Sequence, residues 1–490
     1  MKNKNSGYDL VIFGAKGDLS CRKLLPSLYQ LEKKNKLCTH TRIIGVGRAN
    51  WDKIIYTNVV YKSLIKFLNE TIIESIWKKF SSRLEFCNLD INCLHNFKKL
   101  KQIIQQNNNI IINYLAMPPH TFGNICLGLE SINLNLEPTR IIIEKPLGSS
   151  LKTSININNK IGKFFKEKQI FRIDHYLGKE TIQNLLAFRF SNSLFYYNWN
   201  NKFIDHVQIT VSETIGVEGR FNYFDTVGQI KDMVQNHLLQ ILTITTMSTP
   251  IDCHENSIRD EKVKILKSLR PFNINNIHKN VILGQYTSGI INQKKVKSYL
   301  DETNNQEYQM NKYTETFVSM KIYIDNDQWS GVPFYLRTGK RLPKKCSEIV
   351  IFFKTPPLNI FSKNYNTLSK NKLILSLQPN EAIKIYILNK KPKLTSQYKL
   401  DLITLDFNYS KFYKKIQLSD AYEKLLLESM KGIQSLFVRR DEVELAWKWI
   451  DSTLQCLHLK PRLPDLYPAG TWGPARSKTM INNDGYEWNE

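Results

Sequence analysis

The sequence predicts an α/β protein in two parts: a doubly wound parallel sheet over residues 1–180 and a β+α domain with a large, mainly antiparallel sheet over 181–490. Three observations carry this. In the first part, short apolar runs alternate with helical patterns, as parallel strands joined by helices do. The first run leads straight into a glycine turn and a helix. After residue 200 most apolar runs follow one another without helices between them, which is the habit of antiparallel strands. A chain of 490 residues has room for two or three domains, and 42% apolar with 11% aromatic residues describes a folded protein.

Tyr8–Phe13 (YDLVIF) reads as a buried parallel strand. Gly14, Ala15, Lys16, Gly17, Asp18 and Leu19 follow, and then a helical pattern over 20–33 with Leu24, Leu25, Leu28 and Leu31 on one face. Glycines let a backbone turn approach a pyrophosphate, and a helix N-terminus offers free N–H groups and positive potential. The turn is GxxGDL rather than GxGxxG, so it gains its meaning as a Rossmann-like dinucleotide site from the strand before it and the helix after it. Lys16 adds a cation, and Arg22 and Lys23 are placed to help neutralise phosphate. The second strand, 42–46, ends at Gly47 and Arg48. At this position an acid binds the 2′-hydroxyl of NAD, whereas an arginine accommodates the 2′-phosphate of NADP. No acid occurs before Asp52, so NADP is the expected cofactor.

Residues 51–80 predict two amphipathic helices, and 83–89 a third strand with Asp90 at its end, near the adenine. A helix over 95–106 and a strand over 110–115 follow, the latter ended by Pro118 and Pro119. A helix over 121–129 precedes a strand over 140–143, which runs into Glu144, Lys145 and Pro146. The last strand of this part, 169–173, delivers Asp174, His175, Tyr176, Gly178 and Lys179. Neighbours in an extended segment point to opposite faces, so Asp174 and His175 have different jobs. Asp174 is expected to face a distant histidine, and His175 and Lys179 an anion. Ligands of such sheets bind outside the carboxyl ends of the strands. The segments AMPP, EKPLG and IDHYLGKE therefore converge, with Lys145 between cofactor and substrate.

Beyond residue 180 a helix begins at 181–188, a strand is expected over 204–213, a glycine- and aromatic-rich loop over 216–225, and a long helix over 227–246. That helix carries Asp232, Gln235, Asn236 and His237 among leucines and isoleucines, and polar groups at such depth need partners. Asp174 is the candidate partner of His237. A carboxylate on one ring nitrogen raises the basicity of the other, which could then take a proton from a sugar hydroxyl. Strands are expected over 281–286, 314–324, 347–353, 372–377, 381–388 and 400–405. Between them, 332–345 is a strand and a basic loop whose Lys340 and Lys345 are anion ligands or a solvated rim. Helices over 420–436 and 441–454 and a turn-rich tail at 467–474 complete the chain.

The formal charge is +25, yet it is scattered and accompanies many Asn and Ile residues. It argues against nucleic-acid binding and for a positive field that attracts phosphorylated substrates. Eight cysteines show no CxxC and no metal spacing, so free thiols, a reducing compartment and no metal are expected. No apolar run approaches the roughly 20 residues of a membrane span, and none long enough for a leader precedes Gly14. A cytoplasmic protein is expected, with no membrane partner.

The segments VIFGAKGDLS, GVGR, AMPP, EKPLG, FRIDHYLGKE, DHVQITVSETIGVEGR, DMVQNHLLQ, GVPFYLRTGKRLP and AGTWGP, in this order, resemble the bacterial glucose-6-phosphate dehydrogenase family from end to end. The resemblance implies oxidation of glucose 6-phosphate to 6-phosphoglucono-δ-lactone with NADP, and a sheet that forms a dimer face, hence a homodimer or dimer of dimers. Matched by motif, it implies His237 as base and Asp174 as its partner. His175 and Lys179 become phosphate ligands, Glu213, Asp232, Lys340 and Lys345 substrate contacts, and Lys145 the residue touching both ligands. The turn departs from the common GASGDL form, with Lys16 where a small residue is usual. A sugar dehydrogenase of the glucose–fructose oxidoreductase type also carries an EKP segment, but it has no need of HYLGKE because its substrates lack phosphate. A basic nucleic-acid binder is the non-enzymatic alternative.

Overall fold

The computed structural model describes residues 7–68, 70–104, 109–302, 311–392, 398–413 and 419–490; residues 1–6, read above for a leader, lie outside them. The chain forms two compact units, one of residues 1–178, 250–260 and 419–444, the other of 179–249, 261–418 and 445–490.

The first unit is built on β1 (Tyr8–Phe13), β2 (Arg42–Gly47), β3 (Leu84–Asn88), β4 (Ile110–Leu115), β5 (Arg140–Ile143) and β6 (Ile170–Ile173). They are parallel, in the order β6-β5-β4-β1-β2-β3. The strand order reverses between β1 and β4, which opens the crevice where ligands of such sheets bind. β1 shows why the run is apolar throughout. Leu10 and Ile12 face a layer with Leu28, Tyr56 and Leu64, while Val11 and Phe13 face another with Phe97, Phe122 and Leu129. Each such fully buried side chain contributes about 1.5–3 kcal/mol. The one acid in the run, Asp9, is fully buried and held by the Arg42 guanidinium at 2.9 and 2.5 Å.

Two expectations need correction here. The helix read over 420–436 stops at Lys431, where Gly432 turns into the left-handed region (φ 79°) that closes helices. The chain then adds Phe437–Val438 antiparallel to β6, a seventh strand in the first sheet. The helix read over 95–106 is a single tight turn, Leu94–Asn96, followed by Phe97–Ile104; 105 and 106 lie outside the described residues.

The second unit holds β7 (Ile204–Ser212), β8 (Val281–Thr287), the hairpin β9 (Gly289–Ile291) and β10 (Lys294–Val296), β11 (Phe317–Ile322) and β12 (Phe334–Gly339). β13 (Cys346–Phe353), β14 (Lys372–Gln378), β15 (Ala382–Lys390) and β16 (Leu400–Asn408) follow. Nine strands form one sheet in the order β16-β15-β14-β13-β7-β12-β11-β8, with Asp465–Pro468 last. Two contacts are parallel, β7 with β12 and β8 with Asp465–Pro468; the rest are antiparallel, so the sheet is mixed and mainly antiparallel. β7 alternates as expected but is buried on both faces. On its polar face His206 stacks between Phe352 and Tyr486, with ring centroids at 4.2 and 4.0 Å. Gln208 donates to the Glu487 carbonyl there.

The loop expected over 216–225 is in part helix, Phe221–Gln229. The helix expected over 227–246 breaks at Gly228 (φ 70°), restarts as a wide π-type segment, Ile230–Leu238, and ends as α-helix, Leu239–Thr246.

Candidate functional site

At the carboxyl ends of β1 to β4 lies a cavity of ≈ 950 Å³. Gly14, Ala15, Lys16, Gly17, Arg48 and Asp90 line it, as expected, together with Ala116, Met117 and Pro118 from the AMPP segment. The turn is pinned because the Gly14 and Ala15 N–H groups donate to the Val46 carbonyl and Gly17 N–H to the Gly14 carbonyl. Gly14 has φ +87°, and a Cβ there would stand 2.4 Å from the Ala116 carbonyl oxygen. Only glycine fits this close approach of two strand ends. A glycine cradle at a helix start, two cations and a cleft of this size suit a dinucleotide.

Sequence reasoning missed Trp51, Phe86, Asn92, His120 and Asn124, which also line the cleft. Trp51 carries the Lys16 ammonium 5.7 Å from its ring centroid. Two expected contacts do not line the cavity. Helical backbone already begins at Leu19, so Asp18 faces solvent and pairs with Arg22 at 2.9 Å, while Leu19 turns into the core. The charges of Arg22 and Lys23 likewise go to Asp18 and, at 3.6 Å, to Asp420.

The other charged groups of the first unit stand at the ends of β5 and β6. Glu144 is buried, and the Tyr114 hydroxyl donates to it at 2.5 Å. Burial raises its carboxyl above the usual range, against the hydroxyls of Tyr114 and Tyr422 and the charge of Lys145. Lys145 is half-buried, and its bond to Pro146 is cis. Asp174 is 3% exposed and accepts from the Tyr176 N–H at 3.0 Å. His175 lies parallel to Tyr422, with centroids 6.3 Å apart and planes at 12°. No local signal marked Tyr422, which lies some 250 residues downstream of His175.

In the second unit Lys179 precedes the helix Glu180–Phe190, and its amine bonds to Gln378. The parallel pairing of β7 with β12 sets Glu213 beside Lys340, one residue past each strand. Their side chains form an ion pair at 2.8 Å in which Lys340 is 1% and Glu213 26% exposed. The Lys340 ammonium also lies 5.1 Å from the centroid of the Phe224 ring. Lys345 is exposed, on the loop before β13. Asp232 and His237 sit in the π-type segment, the histidine 1% exposed.

The first unit and its cleft define an α/β dinucleotide-binding protein. Comparison with known proteins narrows the class. Residues 11–184 match the family described as "Glucose-6-phosphate dehydrogenase, NAD binding domain", and 186–489 match "Glucose-6-phosphate dehydrogenase, C-terminal domain". The chain is 55% identical over 482 residues to the glucose-6-phosphate 1-dehydrogenase of Dickeya dadantii, covering 98% of both. It is 56% identical over 485 residues to that of Buchnera aphidicola from Schizaphis graminum, covering 99% of this chain and 98% of the other. Among solved structures it resembles a glucose-6-phosphate dehydrogenase in complex with glucose-6-phosphate, with a TM-score of 0.90 and 33% identity over 100% of both chains. The chain belongs to the glucose-6-phosphate dehydrogenase family.

Proposed function

We propose that the protein oxidises D-glucose 6-phosphate to 6-phospho-D-glucono-1,5-lactone and reduces NADP, the first step of the oxidative pentose phosphate pathway. The observation that carries this is the full-length likeness to a relative solved with glucose-6-phosphate as its substrate. Residues 1–180 serve as the NADP domain and 181–490, apart from 250–260 and 419–444, which pack with the first unit, as the substrate and dimerisation domain. Arg48 at the end of β2 supports NADP over NAD. Gly14 to Gly17 would hold the pyrophosphate, and the bound nicotinamide supplies the hydride acceptor.

His237 takes the proton of the C1 hydroxyl, and Asp174 raises its basicity. His175 and Lys179 bind the phosphate. Glu213 and Asp232 accept hydroxyl hydrogen bonds, with Lys340 holding Glu213 in place through their ion pair. Lys345 adds a cation at the rim, and Lys145 orients both ligands.

We further propose a homodimer or dimer of dimers in the cytoplasm. β16, an edge strand of the nine-stranded sheet, supports self-association. Eight free cysteines support a reducing compartment. Among the described residues no helix is long and apolar enough to cross a membrane.

One assay tests the proposal: absorbance at the reduced-nicotinamide band with NADP and either glucose 6-phosphate or glucose. Turnover of the phosphorylated sugar alone is expected. Equal turnover of glucose would favour a sugar dehydrogenase for unphosphorylated substrates, and none with either sugar would reject the reading.

A further inference from the structure

The helix that bears Asp232 and His237 is tied at both ends by side chains outside it. At its start, the Ile230 N–H donates to a Glu315 carboxylate oxygen at 2.9 Å, and the Gln229 N–H donates to the Glu315 carbonyl at 3.0 Å. The Gln229 side chain donates to Thr338 Oγ1 at 2.9 Å. Gly228 makes this closeness possible: at φ +70°, a Cβ would stand 2.5 Å from a Glu315 carboxylate oxygen. At the other end, all four terminal carbonyls are met by buried donors. Arg189 donates to Ile244 and Met247 at 2.8 and 2.7 Å, Trp199 to Thr245 and Trp329 to Thr246, both at 2.7 Å. These are the carbonyls a helix leaves without internal partners. Arg189, Trp199 and Trp329 are 2%, 3% and 0% exposed, so these bonds are shielded from water.

Between the anchors lies the π-type segment Ile230–Leu238. In an α-helix, residues five apart stand about 140° apart around the axis, on different faces. A π-type turn bonds i to i+5 and brings such residues nearly into line. Asp232 and His237 are five apart. Wide turns are rare and persist only where the surroundings hold them.

We propose that Glu315 at one end, and Arg189, Trp199 and Trp329 at the other, are positioning residues that hold this turn wide so that Asp232 and His237 serve one substrate from one face. The inference rests on the roles given to those two residues above. Desolvation pushes the Glu315 carboxyl up to about 7, against the Ile230 N–H and Lys231. Charged or neutral, an oxygen remains to accept the N–H, so glutamine should replace it.

The test compares E315A, E315Q, W329F and H237N by steady-state kinetics with NADP and glucose 6-phosphate, alongside thermal melts. E315A is expected to lose roughly 10- to 100-fold in kcat, as sub-ångström to 1 Å misplacements do, while KM moves by less than about threefold. W329F keeps an aromatic ring but loses the indole N–H and part of the buried volume, and should lower kcat in the same direction; E315Q should restore most of what E315A loses. A folded E315A or W329F with wild-type kcat and only a lower melting temperature would overturn the inference, as would E315Q no better than E315A. H237N separates the two readings. If it turns over normally, the base assignment itself fails; if it is dead while E315A and W329F are fully active, only the positioning claim fails.

Discussion

The Tyr114 hydroxyl donates to the buried Glu144 carboxylate at 2.5 Å, joining the end of β4 to the residue before Lys145. A buried carboxylate is costly unless hydroxyls or cations face it, and here Tyr114, Tyr422 and Lys145 do. The pair braces the strand end that presents Lys145.

Tyr114→Phe should therefore destabilise the protein by about 1–3 kcal/mol, the cost of stranding a buried acceptor. Burial raises the folded pKa of Glu144 above its unfolded value of about 4.3. Stability from the neutral carboxyl is then fully present below that pH and lost as pH rises through the folded value. Removing the hydroxyl raises the folded value further, so the deficit should be larger at pH 8 than at pH 5. Urea denaturation at both pH values measures it, and equal deficits would contradict the account.

Arg48→Ala should weaken NADP selectively. Losing a hydrogen bond to a charged phosphate costs about 1.5–3 kcal/mol, or roughly 10- to 100-fold in kcat/KM. NAD has no 2′-phosphate and should be nearly unaffected. An unchanged NADP-to-NAD ratio would mean that another residue reads the ribose.

Gly14→Ala places a methyl group 2.4 Å from the Ala116 carbonyl at a φ that L-residues avoid. The turn must open, so cofactor affinity should fall sharply, with a stability loss above about 1 kcal/mol. Fluorescence titration of the reduced cofactor and a thermal melt read both. Wild-type affinity would show that the turn does not form the cradle.

His237→Asn removes the base and keeps a polar side chain of similar reach. Turnover should drop on the order of 10²-fold or more while glucose 6-phosphate affinity is retained. Near-normal turnover would refute the role, and loss of binding alone would make His237 a substrate ligand.

Much of this was legible in sequence where chemistry is local. Tyr8–Phe13 and the turn after it announce strand, cradle and helix because sterics and hydrophobic period act between neighbours. The same local logic placed Arg48 and Asp90 at strand ends, and both line the cleft. Asp18 and Leu19 do not line the cleft, because helical backbone is already reached at Leu19 and the Asp18 side chain pairs with Arg22.

Sequence by itself determined the two-part architecture, with a doubly wound α/β domain and a large, mainly antiparallel sheet, the family, and the set of charged residues available for chemistry. Tertiary structure alone decided that 250–260 and 419–444 join the first unit, bringing Phe437–Val438 to its sheet edge and Tyr422 to His175. It also decided that Glu213 pairs with Lys340, and that the helix around His237 widens between Glu315 and Arg189. The physical reason is separation along the chain: partners dozens to hundreds of residues apart leave no periodicity or spacing to read, and meet only when each unit folds.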